Sequence, residues 1–404
     1  MMRRITDNRG NLLLVGGFVL AALNLRPALA GVSPLLPAIM GDLGLSPAGG
    51  GAITTVMVVC LGLLAPAAPA LAGRIGLDRT LLAGLLTVAA GVALRSADGV
   101  PALYCGAALA GTAIAVMNVV MPGLVKQHFP GRIGLFTGLY VSVMVGGAAI
   151  ASAVMVPLAG EVGWRAAAGS PTLLALLAAA LWWAARARRT AQDPAATIAG
   201  RAGRSRPGDA GHRPYAALLR TPATWPVMAF MGLQSLTFYV LLAWLPTVFQ
   251  AAGLPADEAG YLLGLTNLVQ IAAALAVPLH AGRARSQTPH VVGAALLTIG
   301  GYLGVLLAPT TTPWLWMIVL GLGQGASIAL ALLIITLRAP DPASVTALSA
   351  VAQSSGYLLA AIGPLAFGLL HELSGGWTVP LLAGLGACAL QLVSGMLAAR
   401  PART

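Results

Sequence analysis

Arg26 is the one charged residue deep inside an apolar stretch, about fifteen residues into a run that begins near Leu12. At that depth neither end offers easy snorkelling to water. An arginine stays protonated, and its burial costs at least several kcal/mol unless acceptors surround it. No carboxylate falls inside an apolar run to pair with it: Asp7, Asp42, Asp78, Asp98, Glu161, Asp193, Asp209, Asp257, Glu258, Asp341 and Glu372 all fall between or at the ends of runs. The missing counter-charge points to an anionic ligand. The rival reading is an arginine satisfied by helix carbonyls, water and neighbouring amides.

Neutral polar residues recur at similar depth in three other runs, as Asn118, Gln234 and Gln324, with Ser235 beside Gln234. One such amide is more often an interhelical hydrogen bond than a ligand contact. The set together favours a site. Gln353 and Tyr357 lie one turn apart on one helix face, and with Tyr140 they are placed to close over a ligand. Asn267 and Gln270 offer a similar pair. Phe238, Tyr239 and Trp244 suit a planar ligand or an outer gate, although membrane aromatics also serve as interfacial anchors.

Other chemistry is missing. There is no metal-ligand cluster, nucleophile elbow or phosphate-cradling loop, and His371-Glu372 lacks the second histidine of a zinc-protease helix. No cofactor, metal or enzymatic activity is therefore expected. His128, His212, His280, His290 and His371 stand at run ends or in loops, where solvation is the ordinary reading. Cys60, Cys105 and Cys388 each lie in an apolar run and offer no disulfide framework.

The elements that position these residues follow from composition. Of 404 residues 58% are apolar and only 8% charged, with mean hydropathy +0.86, against about 25% charged in a soluble domain. A cytosolic enzyme and a disordered chain fit poorly. The net charge of +12 does not indicate a nucleic-acid partner, because the basic residues sit between apolar runs and form no polar face. Apolar stretches predict twelve helices at 12–36, 48–72, 81–97, 102–125, 134–158, 167–185, 223–249, 259–280, 290–308, 314–336, 344–370 and 377–399. With the N-terminus inside, 20 of 23 basic residues fall on the cytoplasmic side, and only Arg95, near the end of the third run, and Arg165 fall on the other. Both termini are thus expected in the cytoplasm. A rival reading of the first run is a signal peptide ending at Ala28-Leu29-Ala30, opposed by Arg26-Pro27 before the supposed cleavage site.

The chain also repeats. Leu36-Pro37, Gly44-Leu45 and Gly73-Arg74 recur 209 residues on as Leu245-Pro246, Gly253-Leu254 and Gly282-Arg283, and Gly163-Trp164 recurs 213 on as Gly376-Trp377. The same 209 offset places Arg26 on Ser235, and the 213 offset relates Tyr140 to Gln353. A duplicated bundle follows: residues 1–186 and 222–404, joined by a polar linker, 187–221, that carries Arg188, Arg189, Arg201, Arg204, Arg206 and Arg213. Pro27, Pro34 and Pro37 should break the first helix.

Two six-helix halves, each with a Gly-Arg turn after its second helix, resemble the major facilitator superfamily. Arg74, Gly76 and Arg79 match the superfamily's turn between helices two and three, while Gly73 stands in place of its acid. NLRPAL at 24–29, KQHFPGRIGLFTGLY at 126–140, GLQSLTFYVLLAWLP at 232–246 and GLGQGASIALALLII at 321–335 resemble, more narrowly, the cyanate and 2-nitroimidazole permease family. The resemblance implies an all-α fold of twelve spans in two pseudo-symmetric bundles, working by alternating access. It also implies that helices one, four, seven and ten, which carry Arg26, Asn118, Gln234 and Gln324, line the cavity. The substrate implied is a small polar or anionic solute. Arg74, Arg79, Arg283 and Trp244 are expected to serve gating. The expected protein is a monomer in the inner membrane of a bacterium, its partners the substrate and the lipid bilayer. The alternatives are efflux of neutral planar drugs, a channel, and last a membrane enzyme.

Overall fold

Apolar runs that enter a bilayer must satisfy every backbone N–H and C=O internally, which leaves the helix as the only shape open to them. The computed structural model describes residues 2–45, 47–192 and 213–400, and among them every regular element is helical. The helices are α1 (Met2–Leu23), α2 (Pro27–Ala30), α3 (Leu36–Leu43), α4 (Pro47–Leu64), α5 (Ala67–Ile75), α6 (Leu77–Arg95), α7 (Val100–His128), α8 (Ile133–Gly169), α9 (Pro171–Gln192), α10 (Arg213–Arg220), α11 (Thr224–Ala251), α12 (Ala256–Ala281), α13 (Thr288–Leu307), α14 (Pro313–Arg338), α15 (Pro342–Ser374) and α16 (Thr378–Ala399). Most of the linker, 193–212, lies outside the described residues.

Ten of these stretches are long and apolar enough to cross a membrane, or eleven when a bent pair counts as one span. The sixth expected span corresponds to α9, whose apolar run is cut short by Arg186 and Arg188. Leu173, Leu268, Leu307, Leu365 and Leu373 are all largely exposed. An outer surface of that kind suits lipid, since soluble monomers rarely expose large contiguous apolar patches.

The expected single helix at 12–36 is in fact three helical pieces and a 3-10 turn spread over Leu12–Leu43. Pro27 has no N–H to extend α1, so the ladder stops at Leu23 and restarts at Pro27. Pro34 sits in the 3-10 turn Ser33–Leu35, and Gly44, at φ 62°, ends α3 in the left-handed region that favours glycine. The second expected span bends by 63° between α4 and α5, at Ala65-Pro66. The fifth and sixth spans meet at Gly163, whose φ of 80° breaks α8 five residues later than the sequence places the end of span five.

The chain divides into two compact units, Met1–Leu124 with Gly146–Pro214, and Val125–Val145 with Tyr215–Thr404. In unit one, α9 packs against α1 and α6, and buried Trp182 donates its indole N–H to Asp78 O at 3.0 Å. In unit two, α11 packs on α15 and α16, and α12 on α14, around Val240, Phe249, Tyr302, Leu320 and Phe367. The approach of α12 to α14 depends on Gly325, where a Cβ would lie 2.4 Å from Gln270 O. The segment 125–145 joins unit two through specific bonds. Lys126 Nζ donates to Ala339 O at 2.7 Å and Thr336 O at 3.3 Å, and Ser142 Oγ donates to Ile271 O at 2.9 Å.

Candidate functional site

The predicted residues fall in both units, and each unit is built separately. In unit one Arg26 is half-buried and occupies the residue before α2, with φ −126° and ψ −33°, outside the helical geometry on either side. Its carbonyl accepts from Leu29 N and Ala30 N. Asn24, two residues earlier, is buried and donates through Nδ2 to Leu20 O at 2.8 Å and Leu174 O at 3.4 Å. The break in helix one is therefore pinned to α9 by one amide and presents the arginine on the other side of a two-residue turn. Asn118 is buried in α7.

Unit one also holds a buried cation that the sequence reading counted only as charge at the outer end of the third span. Arg95 ends α6 and is 2% exposed. Its Nη1 donates to Ala28 O at 2.5 Å, its Nη2 donates to Ala168 O at 3.3 Å, and Nη1 lies 3.7 Å from Met57 Sδ. Charge counting failed here because Arg95 is the last residue before a short loop, and its burial comes from packing. At Gly106 of α7 a Cβ would lie 2.2 Å from Arg95 N, so only glycine lets the two backbones approach. Arg165, the other basic residue expected outside, is the ordinary surface case: it pairs with Asp42 at 2.6 Å and Asp98 at 2.7 Å and lies over the Trp164 ring.

In unit two the amides belong to a connected, buried set. Gln324 Nε2 on α14 donates to Thr237 Oγ1 on α11 at 3.2 Å, and Thr237 Oγ1 lies 3.2 Å from Gln391 Oε1 on α16 and 3.1 Å from Gln234 O. A hydroxyl has one proton, so it donates to one of these two oxygens at a time. Gln391 Nε2 donates to Ser327 Oγ at 3.0 Å, and Tyr302 OH to Thr237 O at 3.0 Å. Gln324 Oε1 is buried with no partner among the described residues. Gln234 Nε2 donates to Ser235 Oγ at 2.7 Å and Met231 O at 3.1 Å. Sequence reasoning missed Thr237, Ser327, Tyr302 and Gln391. The signal for Gln391 was available, an amide in the middle of the last apolar run.

The remaining predicted residues of unit two pair locally. Gln353 Nε2 donates to Ser349 Oγ at 2.7 Å, one turn back on α15. Gln270 Nε2 lies 3.4 Å from Asn267 Oδ1. Buried Tyr140 is close enough to Tyr357 for an electrostatic interaction between the two phenols. Phe238 and Tyr239 stack edge to face at 5.3 Å. Trp244 donates to Pro364 O at 2.8 Å and packs against Trp377, which in turn stacks on His371 at 4.0 Å. His280 Nδ1 and His290 Nε2 are 2.6 Å apart, so these two histidines are paired where solvation was expected. Arg74 and Arg283 are exposed and Arg79 is half-buried.

Comparison with known proteins identifies relatives of the whole chain. The chain is 35% identical to the 2-nitroimidazole transporter of Escherichia coli K12 over 98% of its own length and 97% of the other. It is 34% identical to the transporter YycB of Bacillus subtilis 168, over 96% and 93%. It is 30% identical to the cyanate transport protein CynX of E. coli K12, over 89% and 90%. Among solved structures the proton:xylose symporter XylE aligns with a TM-score of 0.73 at 14% identity, covering 96% of this chain and 94% of that one. The human organic anion transporter MFSD10 aligns at 0.72 and 16%, covering 95% and 99%. At these identities the two structures speak for the fold alone. The Major Facilitator Superfamily model matches residues 14–364, and the chain, a multi-pass membrane transporter, belongs to that superfamily.

Proposed function

We propose that this transporter moves a small polar or anionic solute of the cyanate type by alternating access, with Arg26 as the group that holds the anion. The observation that carries the reading is the break in helix one: the ladder stops at Leu23, restarts at Pro27, and sets Arg26 between the two pieces midway along Leu12–Leu43. Broken helices at membrane depth recur where transporters bind solute. An arginine offers a planar fork of N–H donors to a carboxylate-like or linear anion. The proposal includes twelve spans arranged as residues 1–186 and 222–404 about the linker 187–221, a monomer, both termini in the cytoplasm, and no cofactor. Asn118, in the same unit as Arg26, supplies a neutral contact; Gln234, Ser235, Gln324 and the Tyr140–Tyr357 pair form the polar set of the other unit, and the exposed Arg74 and Arg283 take part in gating.

The test is a substitution pair. With sodium cyanate as the probe, Arg26→Ala in monodisperse detergent-solubilised protein should lose binding, by about 1.5–3 kcal/mol or roughly ten- to a hundred-fold. Arg26→Lys should retain part of it, since charge persists and the fork does not. Unchanged cyanate affinity in folded Arg26→Ala removes the reading. A second reading, export of neutral planar compounds, draws on the 35% relative named for 2-nitroimidazole and on the Phe238–Tyr239 pair. Thermal stabilisation by neutral heteroaromatics and by no small anion would favour it.

A further inference from the structure

Arg95 does more than fasten helices, and the argument rests on the reading of Arg26 just given. Its guanidinium is buried among neutral partners only: the carbonyls of Ala28 and Ala168, and the sulfur of Met57. Its Nε is buried and reaches no acceptor among the described residues. Among the described residues no carboxylate pairs with it. Asp42 and Asp98 are both engaged by Arg165. The charge of Arg95 is therefore left uncompensated inside a membrane protein, in a setting where low dielectric carries its field further than water would. A guanidinium cannot escape that setting by giving up its proton.

A purely structural clip does not need this. Two carbonyls can be held by a neutral amide donor at a fraction of the desolvation cost. What the guanidinium adds is charge, and its location says where the charge acts. Ala28 lies two residues beyond Arg26, in α2, the short helix that begins at the break. Nη1 of Arg95 holds that helix directly, at 2.5 Å, while α6 is locked in place by the contact of Gly106 with the Arg95 backbone. Arg26 and Arg95 thus attach to the same turn of helix one, one from within and one from α6.

We infer that Arg95 is a positioning and specificity-determining residue for the solute: it fixes the piece of helix one that follows Arg26 and supplies a second permanent positive charge that makes this turn selective for anions. Arg95 does not touch the solute in this scheme; it acts through the turn and through its field. The same device accounts for the retention of a buried guanidinium at Arg95 among neutral partners.

The experiment measures sodium cyanate binding to full-length purified protein carrying Arg95→Lys, Arg95→Gln or Arg95→Met, with Arg26→Ala in the same series. Removing a full charge at this range in a poorly screened interior should weaken cyanate binding about tenfold in Arg95→Gln and Arg95→Met, and Arg95→Lys should restore most of it. Equal impairment of Lys, Gln and Met would show that the fork and its packing matter and the charge does not, which overturns the inference. So would parent-like cyanate affinity in a monodisperse Arg95→Gln or Arg95→Met protein. Failure of both neutral variants to fold while Arg95→Lys folds with weakened cyanate binding would also overturn it, leaving Arg95 a structural clip. Failure of the earlier reading looks different: Arg26→Ala then binds cyanate as the parent does, whatever the Arg95 series shows.

Discussion

Single residues in this chain carry their meaning through what they are bonded to. Arg26 stands out in the sequence as a lone charge in the middle of an apolar run, and the structure places it half-buried at the break in helix one. Arg95 does not stand out, because a basic residue at the end of a run looks like loop charge until the packing of α6 against Gly106 buries it. The amides divide in the same way. Gln234 and Gln324 stand out as polar residues in apolar runs, yet Thr237, which connects Gln324 to Gln391, is a residue type that membrane helices absorb by bonding to their own carbonyls. Thr237→Val tests the connection, since valine keeps the shape and removes the hydroxyl. It would leave Gln324, whose Oε1 already has no partner among the described residues, without its bond at Nε2 as well. The expected cost is about 1–3 kcal/mol for the stranded amide, seen as a lowered melting temperature in detergent, with Thr237→Ser close to the parent. Equal melting of parent and Thr237→Val would mean that the set is not held together at this hydroxyl.

At the scale of the element, positions of apolar runs were readable to within a few residues and their shapes were not. Pro27 and Pro34 predicted interruption of helix one, and the structure adds its form, two short helices and a 3-10 turn that carry the span on to Leu43. The 63° bend between α4 and α5 and the late break at Gly163 depend on neighbouring helices and left no periodicity to read. Helix starts show clearer chemistry. Asp341 precedes α15 with extended backbone, φ −131° and ψ 162°, and its carboxylate accepts from Ala343 N at 3.0 Å and Ser344 N at 2.9 Å. Partial burial pushes this carboxyl up, but the bonds from Ser344 and Ala343, together with the charge of Lys126, outweigh it and hold the group below the usual carboxylate range. A pKa lowered on folding contributes stability that is present above the unfolded value and lost as pH falls through the folded one. Asp341→Ala should therefore cost about 1 kcal/mol at neutral pH, the usual worth of such a cap. The gap between parent and variant should close on acidification through that lowered pKa. Thermal unfolding followed from neutral to acid pH checks both, and a gap that persists undiminished in acid would mean that the carboxylate is not the source of the cap.

For the whole molecule, composition alone points to a multi-pass membrane protein before any site is known, and the transporter reading enters with the family. The low charged fraction leads one to expect lipid around the helices, the repeat two related bundles, and the sidedness of 20 of 23 basic residues one orientation. What a sequence cannot carry is motion, and alternating access is a statement about motion. It makes a sharp demand on helix one, because a residue near Arg26 must meet water from one side of the membrane at a time and must change sides when solute is supplied. Leu23→Cys and Leu29→Cys, both half-buried next to the break, provide the reporters in a background where Cys60, Cys105 and Cys388 are replaced. In sealed vesicles of known orientation, a membrane-impermeant thiol reagent should label such a cysteine at a rate that depends on the side of addition. Cyanate should raise the rate on one side and lower it on the other, since a ligand shifts the population only toward the state it prefers. Labelling from both sides at once, indifferent to any solute, describes a continuous pore, and would replace the alternating-access reading with a channel even though the fold remains that of the superfamily.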